Sequence, residues 1–285
     1  MKRLFNISTI ALALTVAFAS CDKIESDDYL IFSGSTGEWY DGQPVADHTQ
    51  RLLVEKYTGN KCTNCPDADQ IISQIQNTAG DKMIAVSIHA SLFSRPIEGN
   101  QDLRTDVGNT WYDFFGGPGL PAAMINRSKK EEVDAWNILG DSEMESGINA
   151  ALSDSTNAKL AMDMSTEYDP QSRELTIRSN IEFLEDIAEP LTLTVLVMED
   201  GIIGKQIHGS ETLENYEFNH VFRGTITDLW GIDVNADGKT GTCRYIELNY
   251  TLPTEYVAEN CHIVGFISNK ETKEVIQCAE TGVTE

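Results

Sequence analysis

Two hydrophobic periods divide the chain. Between about residues 50 and 155, short apolar strands alternate with amphipathic helices. Arg51–Tyr57 reads as a strand ended by the breaker Thr58-Gly59-Asn60. Ala68, Ile71, Ile72 and Ile75 then recur at i, i+3, i+4 and i+7, which is one face of a helix. Met83–Ile88 is an apolar run of strand length, and a helix is predicted near Asp102–Phe115. The polar stretch 91–109 reads as an insertion or lid. Ala122–Asn126 is a further strand, and Met144, Ile148, Ala151 and Leu152 give a closing helix over Asp141–Leu152. Past Ala158 the period falls to two. Leu160, Met162 and Met164 alternate with polar residues, as do Leu175 and Ile177. Leu191, Leu193, Val195 and Val197 form a third strand. Arg244–Leu252, His262–Ser268 and Glu274–Ala279 follow, the last two joined by a turn at Asn269–Thr272. Short strands with regular turns and little helix predict an antiparallel sandwich.

The N-terminus has its own pattern. Lys2 and Arg3 precede an apolar stretch from Ile7 to Phe18, and Ala19-Ser20 lead to Cys21. This is a secretory signal, too short and wrongly flanked for a membrane span. With the cysteine directly after the small residues it resembles a bacterial lipoprotein signal. That resemblance implies diacylation of Cys21 and anchoring of the mature chain to a lipid bilayer, each buried CH₂ contributing about 0.8 kcal/mol. Asp22, Glu25, Asp27 and Asp28 resemble the surface-export signal of Bacteroidetes lipoproteins, so the anchored protein faces either the periplasm or the outside. The expected partition is a signal peptide at 1–20, an acidic tether at 21–48, an α/β domain at 49–155 and a β-sandwich at 156–285.

Charge removes one class of partner. Lys and Arg number 21 against 45 Asp and Glu, a net charge of −24 with no basic patch, which argues against nucleic acid.

The candidate chemistry begins at Lys61-Cys62-Thr63-Asn64-Cys65-Pro66, where a strand and loop give way to a helix. Unpaired N–H groups and the dipole at a helix start favour a thiolate, the nucleophile of disulfide exchange. Cys62 is then the exposed attacking thiol and Cys65 the resolving one. Downstream, Gly-Gly-Pro-Gly-Leu-Pro-Ala-Ala-Met-Ile-Asn-Arg spans 116–127. Together with the strand–helix order this resembles the thioredoxin fold, which sets a cis-proline at a strand start against its C-x-x-C; Pro121 matches. Glu55, in the strand entering the motif, corresponds in kind to the buried acid that handles the resolving cysteine's proton, unless it is an exposed strand-end glutamate. His89 reads as a solvated or hydrogen-bonded histidine rather than a base.

In the second half, Asp233-Val-Asn235-Ala-Asp237-Gly238 matches the opening of a calcium loop, with oxygen ligands two residues apart and a glycine for the turn. Arg244 stands where the bidentate glutamate belongs, so an Asx-type turn is the competing reading. No other cofactor is implied. His220 and Arg223 read as structural. Cys243, Cys261 and Cys278 allow one disulfide or three free thiols.

The order of these parts resembles one family. The lipoprotein leader, V-E-K-Y-T-G-x-x-C-x-x-C-P, G-x-P-A-A-M-I-N-R, N-H-V-x-R-G and N-K-E-T before V-I-Q are similar to the 28-kilodalton outer-membrane protein family of Bacteroidetes lipoproteins. The resemblance implies a thioredoxin-like domain followed by an immunoglobulin-like β-sandwich, at the cell outer membrane. It leaves two functions open. In one, Cys62 and Cys65 exchange disulfides with a protein partner, Pro121 presents the partner's backbone and Glu55 assists proton transfer. In the other, the sandwich binds or adheres and the Cys62–Cys65 bond is a structural staple.

Overall fold

The structure, a computed structural model, describes residues 37–130, 134–154 and 157–284. The signal peptide, Cys21 and the first part of the tether lie outside the described residues. The rest of the expected tether is part of the fold. Trp39–Asp41 forms strand β1, and Val45 is buried, because Trp39 and Val45 carry apolar surface that a solvated tether would leave in water.

The first half runs β2 (Leu52–Thr58), α1 (Cys65–Ala79), β3 (Met83–His89), α2 (Asp106–Phe114), β4 (Ala122–Lys129), β5 (Trp136–Gly140) and α3 (Asp141–Asp154). The helices α1 and α3 cover one face of these strands. There Ala68, Ile72, Ile75, Met144 and Ile148 pack on Leu52, Val54, Met83 and Ala123. The other face belongs to α2, with Trp111 and Phe115 set on Leu53, Tyr57, Val86 and Met124. Alternate residues of β2 therefore serve opposite faces, as the pleat requires.

The second half is all strand: β6 (Leu160–Tyr168), β7 (Glu174–Phe183), β8 (Leu191–Glu199), β9 (Ile202–His208), β10 (Glu211–Phe218), β11 (Val221–Thr225), β12 (Ile232–Asp233), β13 (Cys243–Thr251), β14 (Cys261–Asn269) and β15 (Val275–Gly282). A four-stranded sheet in the order β1-β13-β7-β6 packs on β8, β14 and β15 through Ile177, Ile181, Ile246, Val195, Ile263 and Ile267. The fold is thus mixed α/β in its helix-containing N-terminal part and β-rich beyond it.

One sheet runs through both parts, in the order β15-β14-β8-β11-β3-β2-β4-β5 with β12 on β8, so it crosses the boundary expected near residue 155. The joint is β11 beside β3, paired in parallel at Val221 and Ser87 and closed by the Ser87 N–H donating to the His220 carbonyl at 2.6 Å. The N-H-V-x-R-G motif builds this joint. Asn219 accepts from the Gly201 N–H at 2.8 Å, His220 takes a left-handed backbone (φ 57°), and Arg223 meets Glu199 at 3.3 Å with both side chains buried. His220 and Arg223 are therefore structural.

The last three cysteines are free thiols. Cys261 stands opposite Glu199 and Cys278 opposite Phe266 in the sheet register, so the final hairpin does not bring the two together.

Candidate functional site

Cys62 and Cys65 are joined in a disulfide, with their Cα atoms 5.4 Å apart. Local sequence explains the placement. Gly59 lets the chain leave β2 beneath the turn at Leu92–Ser94; a Cβ there would stand 2.7 Å from the backbone of Phe93. The Lys61 N–H donates to the Phe93 carbonyl at 2.8 Å, and the Cys62 N–H to the Gly59 carbonyl at 3.0 Å. Asn64 stands at the N-cap position without a side-chain capping bond, Cys65 opens the helix, and Pro66 fits in the first turn, where a missing N–H costs nothing. Next door, the Leu120–Pro121 peptide is cis, and Pro121 leads directly into β4, whose Ala122 pairs with Tyr57 at the end of β2. Cys62, Cys65 and Pro121 therefore gather at one end of β2.

Two expectations about this end change. Cys62 was expected to be exposed, yet it is only 5% accessible, and Cys65 is fully buried. The cover is the hairpin β9–β10, from the other half of the chain. The Gln206 amide donates to the Cys62 carbonyl at 2.9 Å, and the backbone N–H groups of Ile207 and Gly209 donate to the carbonyls of Asn60 at 2.9 Å and Thr63 at 3.0 Å. His208 meets Asp67 at 3.0 Å and the Tyr216 hydroxyl donates to Asp69 at 2.7 Å, both on α1. Burial, with the Asp67 carboxylate nearby, pushes the Tyr216 phenol up to about 12, so it stays a donor. The stretch 91–109, read as an insertion or lid, also borders this end through the Phe93 carbonyl. Its Asn100 holds the hairpin, pairing both ways with the Lys205 backbone at 2.8 Å. The Gly209-Ser210 turn was the sequence signal for this hairpin.

The second change concerns the proton-handling group. Glu55 is buried, but on the α2 face, away from α1. Its carboxylate accepts two bonds from Arg127, at 2.7 and 2.8 Å, with both side chains at most 2% accessible. The Arg127 guanidinium lies 4.4 Å from the Trp111 ring and 4.7 Å from that of Phe266. The ionisable residue of β2 that faces α1 is Lys56, ion-paired with Asp69. Burial pushes its ammonium down to about 7. Lys56, Pro66, Asp69, Tyr216 and His220 line a cavity of about 380 Å³ under the hairpin. His89 is buried rather than solvated, its ring 5.5 Å from Phe218, and burial pushes it down to about 3, so it is neutral.

The calcium-like loop is engaged by protein groups. Asp233 is paired with Lys270 at 2.7 Å, Asp237 accepts from Thr242 at 2.7 Å and from the Lys239 N–H at 3.2 Å, and Asn235 is exposed. Arg244, at the position of the missing glutamate, reaches Asp41 at 2.9 Å. Among the described residues no three His, Cys, Asp or Glu side chains converge as a metal-holding group.

Fold and site together define an α/β unit with a disulfide at a helix start, continued through one sheet into a β-sandwich. The profile of outer membrane protein Omp28 matches residues 108–285, and the chain belongs to that family of outer membrane proteins. HBP35 of Porphyromonas gingivalis shares the fold at 15% identity and a TM-score of 0.66, over 85% of this chain and 77% of that one. A domain of the outer membrane lipoprotein Omp28 from Porphyromonas gingivalis is 22% identical over 44% of this chain and 88% of its own, with a TM-score of 0.32. A protein from Agrobacterium tumefaciens is 14% identical over 84% of this chain and 97% of its own, at 0.49. No curated protein matches the chain. Among the described residues no helix is long and apolar enough to cross a membrane.

Proposed function

We propose that this chain is an outer-membrane lipoprotein, anchored through acylated Cys21, whose thioredoxin-like half exchanges disulfides with a protein partner. The observation that carries the reading is the Cys62–Cys65 bond at the first turn of α1, with the cis Pro121 at the neighbouring strand start. In the oxidised state a partner thiolate attacks the Cys62 sulfur. The Cys62–Cys65 bond breaks, and Cys65 leaves as a thiolate that takes up a proton. A second partner thiolate then attacks the partner sulfur of the mixed disulfide and releases Cys62. The partner gains a disulfide, and two electrons reside in the Cys62 and Cys65 thiols. With the dithiol as the starting state, the same steps run backwards and reduce a partner disulfide. Pro121 presents the partner backbone. Glu55 is committed to Arg127, which leaves Lys56 as the ionisable group of β2 on the disulfide's side of the sheet.

A second reading has its own support. A disulfide 5% and 0% accessible resembles a staple, leaving the sandwich to bind or adhere. The reduction potential separates the two. Thiol trapping across a glutathione series places a working exchange site between about −120 and −270 mV, and a resistant structural bond below about −300 mV. The second result rejects exchange.

A further inference from the structure

The hairpin over the disulfide is joined to the molecule in an unusual way. Among the described residues β9 and β10 pair in sheets only with each other, so lifting them breaks no strand of either large sheet. Left-handed residues flank the base of the hairpin, Gly201 at φ 70° and His220 at φ 57°. Phe218 roots it against Leu103 and Val221, while the segment from Ile203 to Glu217 carries mostly part-exposed or exposed residues. Such an element belongs to the low-stability end of a fold and opens without global unfolding.

What the hairpin occupies is specific. The loop after β2 offers the carbonyls of Asn60, Cys62 and Thr63 along one edge. β9 and the turn after it fill the first and last with N–H groups two residues apart, Ile207 and Gly209, and β9 fills the middle one with the Gln206 amide. Two N–H groups at i and i+2 on one side are what any extended segment presents. The loop edge is therefore a docking edge for a strand, directly beside Cys62, and at present its own chain holds it.

We propose that the β9–β10 hairpin is the built-in occupant of the edge on which an extended segment of a protein partner meets the Cys62–Cys65 disulfide, and that exchange requires the hairpin to swing away. This inference rests on the exchange reading for its partner, a polypeptide carrying a cystine or a cysteine pair in extended conformation. The hairpin makes the site selective: a segment gains access only by replacing the same backbone bonds.

The test uses the full oxidised chain and tris(carboxyethyl)phosphine as reductant, with opening of the Cys62–Cys65 bond followed by alkylation and mass. The expected rate levels off as reductant rises, because hairpin opening becomes limiting. Gln206→Ala and the conservative Tyr216→Phe each raise the plateau about tenfold. Hydrogen exchange at the Ile207 and Gly209 amides is expected to outpace that of β2 and β3 in the same protein. A rate that stays linear in reductant and identical in both variants overturns the proposal, as does equal protection of the hairpin and β2 amides. Transfer to an oxidised protein substrate is measured separately. Gated reduction without transfer removes the exchange reading and leaves the cover standing. Transfer with ungated reduction does the reverse.

Discussion

Replacing Arg127 by Met tests the buried pair that fixes the underside of the site. The thioether keeps the stem's volume but leaves the Glu55 carboxylate without either donor, in a place at most 2% accessible. Breaking a buried pair by removing one partner costs about 3–5 kcal/mol. The lost contact of the guanidinium with Trp111 and Phe266 adds to the effect. The expected outcome is a loss of about 4 kcal/mol in urea unfolding at pH 7, followed by tryptophan fluorescence. Glu55→Leu with Arg127→Met removes the orphan charge and is expected to recover most of the loss. A single variant within about 1 kcal/mol of the native chain at pH 7 would refute the argument.

Burial that lowers Lys56 to about 7 means the unfolded chain holds this proton more tightly between pH 7 and about 10.4. Stability therefore climbs with pH across that window, and Lys56→Met should abolish that part of the climb in denaturant titrations. Cys62→Ser is expected to abolish thiol exchange and to trap no mixed disulfide through residue 62, whereas Asp237→Ala leaves exchange unchanged; gel shift after alkylation reads both. Gly59→Ala pushes a methyl into the Phe93 backbone and should lower the unfolding midpoint by about 1–3 kcal/mol of stability, with faster reduction of the neighbouring disulfide.

The C-x-x-C at a helix start, Pro121 before a strand, and the change from helical to alternating period were all legible in the sequence. Each is a local matter of period, breaker and cap, decided within about a dozen residues. Glu55 shows where local reasoning stops. Its position in β2 and the face it shares with Leu53 and Tyr57 were clear, but which helix covers that face was not. The partner that settles it, Arg127, is 72 residues away in the I-N-R of the second motif. The same two motifs interlock again where the Leu53 N–H donates to the Asn126 side chain at 2.8 Å. Two stretches that read as separate signatures are one contact. In the calcium-like loop the carboxylates pair with Lys270 of the final hairpin and with Thr242 of the loop itself, and only the first of these partners lies beyond a local reading.

By itself, then, the sequence determined the helices, most of the longer strands and the C-x-x-C at a helix start, because backbone propensity and hydrophobic period act over short separations, while β1, β5 and β9 to β12 went unread. Only the tertiary structure decided that the two halves share a sheet through β11 and β3, and that residues 202–218 lie across the disulfide. Both depend on pairing backbone groups more than a hundred residues apart. Any exposed edge offers the same N–H and C=O groups, so no residue pattern along the chain names which one is taken.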